Sequence, residues 1–104
     1  MTMPFLITSC RHRVFGQQVR VQLAENHVLR LTQAEASSLS FALIAVRDGI
    51  SSEREIYMSP IGSDAAFSGT VLQNGMRIAT VDGALELDWL QVGLLSRTLA
   101  EAIG

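Results

Sequence analysis

The spacing of apolar and polar side chains changes period along this chain, and each change marks a boundary between elements. Val19, Val21 and Leu23 alternate with Arg20 and Gln22, the pattern of a half-buried strand. Glu25-Asn26 suits a turn, and His27 to Leu31 reads as the returning arm of a hairpin. Phe5 to Ser9 reads as an earlier strand, separated from the hairpin near Gly16, while Cys10 to Phe15 carries little pattern. At Thr32 the period becomes helical. Thr32-Gln33-Ala34-Glu35 has the form of a capping box, in which the hydroxyl takes one unpaired amide and the carboxylate reaches back to another. The stripe Ala36, Leu39, Leu43, Val46 and Ile50 predicts a helix that ends near Asp48-Gly49.

Beyond that helix the pattern predicts short strands: Arg54 to Met58, Phe67 to Leu72 and Met76 to Val81, then Ala84 to Leu87. A loop over residues 59–64 separates the first two, and Asn74-Gly75 and Asp82-Gly83 are the expected hairpin turns. Asp88 should open a second helix lasting almost to the last residue.

The two ends of the chain match when one is displaced by 56 residues (85 − 29), which carries Leu29 to Leu85, Leu31 to Leu87, Thr32 to Asp88, Glu35 to Gln91, Leu39 to Leu95 and Leu43 to Leu99. Strand arm, cap and buried stripe coincide together, and upstream of the turns the match slips by one residue. The expected architecture is a single α+β domain over residues 1–104, an antiparallel sheet of about 5–7 short strands with two amphipathic helices, about 33–48 and 89–103, on one face of it. Its two strand-to-helix units, about 17–48 and 70–103, would form a pseudo-twofold repeat.

Such a repeat supplies a control, because a position that serves only the fold should look alike in both units. The outer helix faces differ. At about 100° per residue, Phe41 and Ile44 lie away from Leu39 and Leu43, with Ala34 and Ala45 nearby. The second helix has Arg97, Ala100, Leu90 and Glu101 at these places, a solvated face. The apolar face of the first helix is either covered within the monomer, by Phe5, Leu6 and Ile7 or by the 54–67 segment, or is a contact for a protein partner or a second copy of the chain. Covering is the commoner fate of such a helix.

Composition narrows the classes. Apolar residues make up 48% of 104 residues and charged ones 17%, enough for one core and unlike a disordered chain. The net charge of -2 is uneven: residues 1–54 hold six Arg against four acids, and residues 55–104 two Arg against six acids. Arg11, Arg13, Arg20 and Arg30 are therefore candidate anion contacts on one sheet face. The acidic balance and the lack of Tyr or Trp near them argue against nucleic acid as the partner. One cysteine excludes an intramolecular disulfide, and no apolar run reaches the ~20 residues of a membrane span. Ile7-Thr8-Ser9-Cys10 resembles a lipoprotein cleavage site, but the residues before it include no Lys or Arg and too short an apolar run. A cytoplasmic protein is expected.

Material for catalysis is sparse. Cys10 and His12 would share one face of a strand, but no second Cys or His stands at zinc-ligand spacing, so no metal and no cofactor are expected. His27 and Gly62-Ser63-Asp64 read as turn chemistry. The favoured function is a non-enzymatic protein-interaction module, a homodimer or a subunit, using Phe41, Ile44, Ala34 and Ala45. One alternative is an inhibitor or immunity-type protein that presents Asp82, Glu86 and Asp88 to a basic enzyme. The other is a small enzyme or ligand binder that uses Cys10, His12 and the 59–64 loop.

Overall fold

The computed structural model describes residues 5–12, 16–24, 27–58, 66–80 and 83–103. Three strands, β1 (Leu6–His12), β2 (Gly16–Ala24) and β3 (His27–Thr32), lead into helix α1 (Gln33–Arg47). Four more, β4 (Glu55–Met58), β5 (Phe67–Val71), β6 (Gly75–Thr80) and β7 (Gly83–Asp88), lead into α2 (Trp89–Ile103). The fold is α+β. Among the described residues its seven antiparallel strands form two sheets rather than the one expected, in the order β1-β2-β3 and β4-β5-β6-β7. The division follows from where α1 lies in the chain: it carries the backbone away from β3, and β4 starts a new sheet.

Both helices begin directly on the last residue of a strand, and the caps explain how. Thr32 Oγ1 accepts from the Glu35 amide (3.1 Å) while Glu35 Oε1 accepts from the Thr32 amide (2.9 Å). Asp88 and Gln91 exchange the same pair of bonds, at 2.8 and 2.9 Å. Each box satisfies two otherwise unpaired donors at the point where extended backbone turns helical.

α1 ends as the sequence predicts, with Asp48 as C-cap and Gly49 at φ 73°. Ile50, assigned by periodicity to the buried stripe, is instead 78% exposed. The helical period stops applying once Gly49 turns the chain, so the spacing from Val46 to Ile50 no longer describes one face. The β5–β6 turn is also displaced by one residue from Asn74-Gly75. Gly75 already belongs to β6, opposite Asp88, and its carbonyl accepts from the Leu72 amide at 2.8 Å. The expected Glu25-Asn26 turn and Asp82 lie outside the described residues.

One apolar core joins both units. Val19, Val21, Leu29 and Leu31 from the first sheet and Met76, Ile78 and Leu87 from the second are buried with Leu39, Leu43, Leu95 and Leu99 of the helices. Phe5, just before β1, and Phe67, the first residue of β5, are buried in the same cluster. α1 packs on β2 and β3, whereas α2 packs on β6 and β7 and also on β1, so the second helix ties the two sheets together. Among the described residues no helix is long and apolar enough to cross a membrane.

Candidate functional site

The helix pair is organised around two serines. Ser40 is the eighth of fifteen residues in α1 and Ser96 the eighth of fifteen in α2. Ser40 Oγ donates to the Ser96 carbonyl (2.9 Å), Ser96 Oγ donates to the Ser40 carbonyl (2.8 Å), and the two hydroxyl oxygens are 3.1 Å apart. Small side chains at the crossing let the backbones approach, and each hydroxyl finds a partner inside the core. Farther along, the guanidinium of Arg47, the last residue of α1, lies over Gly93 in the first half of α2, so the helices run in opposite senses. Arg47 also pairs with Asp48 (Nε to Oδ1, 2.9 Å), and that hydrogen bond raises its pKa above the usual value.

Next to the buried Ser40, Phe41 turns outward and is 74% exposed. Its ring is therefore not covered within the described residues, and the commoner fate expected of an apolar helix face does not apply to it. Ala34 is exposed as well, whereas Ile44 and Ala45 are half-buried. The described part of α1 places no charge among these positions. On α2 the matching places carry the exposed Arg97, Ala100 and Glu101, and Leu90 is 70% exposed near the start of that helix. The serine crossing is a feature that the outer helix faces do not reveal. The displacement that superposes Leu39 on Leu95 also superposes Ser40 on Ser96, so the signal for the crossing was present in the chain.

The arginines divide. Arg20 stands directly opposite Arg30, and Thr8 opposite Arg20, in one cross-strand row. Arg11 alternates with Thr8 and so belongs to the other side of β1, and Arg13 lies outside the described residues. Strands β1 to β3 contain three arginines and no acid. The corresponding row of the second sheet reads Glu55, Thr70, Arg77 and Glu86, with charges of both signs side by side. The four arginines thus do not form one patch; two of them form a like-charged pair on the outward side of the first sheet.

A surface cavity of about 440 Å³ lies beside the start of α2, lined by Asn74, Gly75, Glu86, Asp88 and Gln91 among others. Asp88 and Gln91 are occupied there with capping, and Trp89 Nε1 donates to the Gln73 carbonyl at 3.2 Å. Gly75 pairs with the cap residue Asp88 as Gln18 pairs with Thr32 in the first sheet. Gln18 is 1% exposed, and its side-chain Nε2 has no hydrogen-bond partner among the described residues. A buried side chain thus stands in the first sheet at the register position where the second has a glycine and an open cavity.

Cys10 and His12 are both in β1 as backbone positions, but their side chains, with that of His27 in β3, are not among those described. Residues 59–65, including Ser63 and Asp64, lie outside the described residues too. Among the described residues no group of three or more His, Cys, Asp or Glu is placed to hold a metal ion. No family model, curated protein or solved structure matches the chain.

Proposed function

We propose that this chain is a non-enzymatic protein-interaction module, acting as a homodimer or as a subunit of a larger assembly, with the outward side of the helix pair around Phe41 as a contact surface. The exposure of Phe41 carries the reading. Burial of an aromatic ring is worth roughly 1.5–3 kcal/mol, and here the ring sits on a stretch of helix that has Ala34, Ile44 and Ala45 around it and no charge to hold water. A cytoplasmic setting belongs to the same proposal, from the single cysteine.

We also read the two units as a pseudo-twofold repeat. Support comes from the two 15-residue helices, the two capping boxes, and a serine pair separated by the same 56 residues that superpose the caps. On that reading Phe41 and Arg97 are equivalent positions that have diverged where the fold makes no demand on them. The inhibitor alternative is less well supported, because Asp88, one of its three acids, already serves as a helix cap.

Phe41→Glu tests the contact surface. The variant should keep its far-ultraviolet circular dichroism and melting temperature, since the side chain already faces solvent. Its self-association, or its affinity for the protein that co-purifies with the wild type, should fall by about tenfold or more, the effect of losing an interface aromatic. A folded Phe41→Glu protein with unchanged solution mass and unchanged partner affinity would falsify the assignment.

A further inference from the structure

The two sheets differ by one strand, and the difference leaves a defined place open. In the second sheet, β4 pairs with β5 and sets Ile56 opposite Gly69. Through their own partners, β1 and β5 occupy the same position: Ile7 faces Val21 as Gly69 faces Ile78, and Thr8 faces Arg20 as Thr70 faces Arg77. Among the described residues the first sheet has no strand in the place of β4. Among the described residues β1 is hydrogen-bonded on one side only, to β2. Edge strands are commonly kept short or charged to prevent pairing. β4 follows that rule with four residues and a glutamate, whereas β1 has seven residues and no charge before Arg11. Beside Ile7 runs a groove of about 260 Å³ lined by Ile7, Thr98, Glu101 and Ala102, between β1 and the last turns of α2.

We propose that a second copy of this chain fills the place, with β1 pairing antiparallel to β1 of the other copy about a twofold axis at Ser9. This register pairs every residue of the strand: Leu6 with His12, Ile7 with Arg11, Thr8 with Cys10, and Ser9 with its counterpart. It joins the two three-stranded sheets into one of six strands by strand addition, and the isologous contact closes at two copies. The charges argue for this occupant. Arg11 is exposed and lies on the same side of β1 as Ile7. In the dimer each Arg11 stands beside the other copy's Ile7, at the mouth of the groove that contains Glu101. Its aliphatic stem covers Ile7 and Ala102 while its guanidinium meets the Glu101 carboxylate, twice by symmetry. The proposal is independent of the Phe41 surface and survives its failure.

Sedimentation equilibrium of the full chain at micromolar concentrations should give twice the 11.3 kDa of one copy. Arg11→Glu and Glu101→Arg are both changes at exposed positions, and circular dichroism should show the fold of each variant intact. Each should weaken the dimer by about tenfold or more, and the double charge swap should restore it, since the pair is re-formed with its signs exchanged. The charge reversals should have the same effect in a Phe41→Glu background, which tells this contact apart from any association through the Phe41 surface. In a second arm, Ser9→Cys in a Cys10→Ser background places two thiols across the axis, and copper phenanthroline should link the copies covalently. A monomeric wild type at about 100 μM, where even weak pairing is populated, overturns the proposal. So does a dimer indifferent to both charge reversals, or one in which the cysteines at position 9 do not join.

Discussion

Two glycines show how much depends on what surrounds a single Cα. A Cβ at Gly75 would run into the carbonyl oxygen of Leu87, a backbone atom of the neighbouring strand that is held by the β6–β7 ladder. A Cβ at Gly93 would come within 2.5 Å of Arg47 Nη1, the far end of an exposed, flexible side chain. Gly75→Ala should therefore destabilise the protein by about 1–3 kcal/mol in urea unfolding, as overpacking against rigid atoms does. Gly93→Ala should raise stability by up to about 1 kcal/mol, because the guanidinium can move aside and alanine favours the helix. The opposite ordering would mean that Arg47 is held more firmly over α2 than the β6–β7 ladder holds Leu87.

Among the elements, the helix crossing is the feature with the clearest energetic signature. Ser40 and Ser96 are both buried, and each hydroxyl donates to the other helix's backbone. Replacement of either by alanine removes one donated bond and the contact between hydroxyls, at a cost of about 1 kcal/mol. The double replacement should cost less than the sum of the two singles, by on the order of 0.5 kcal/mol, because they share that contact. Strict additivity in a double-mutant cycle would show that the serines act as separate caps on each backbone. Periodicity located both helices, their caps and their buried stripes from residues such as Thr32, Glu35, Leu39 and Leu43. It went wrong at Ile50, where a rule of local spacing was carried past the glycine that ends the helix.

At the scale of the molecule, α2 packs on strands of both sheets, and the core includes residues of both units without interruption. The protein should therefore unfold in a single transition. Leu29→Ala, in the first sheet, removes a fully buried side chain and should cost about 2–5 kcal/mol. That loss should appear equally in circular dichroism and in the fluorescence of Trp89, which belongs to the second unit. Fluorescence that melts separately from the dichroism would show that the sheets unfold independently. The candidate surfaces also belong to this scale. Phe41 was identifiable as the exception on its helix by comparison with Arg97, yet its exposure depended on what the rest of the chain covers. That β1 is paired on one side only, among the described residues, is likewise decided by the sheet it joins.

The chain alone determined its local elements, because capping, turn chemistry and periodicity act over a few residues and each leaves a pattern in the order of side chains. It also placed a capping pair at the start of each helix, Thr32 with Glu35 and Asp88 with Gln91. Which faces those helices leave free was decided in three dimensions. The split of the described strands into sheets of three and four, the meeting of Ser40 with Ser96, and the exposure of Phe41 all depend on contacts between residues far apart in the chain. Hydrophobic burial has no direction of its own. A pattern of apolar residues states that a face is to be covered, and only the packing of the whole chain settles what covers it and what is left for a partner.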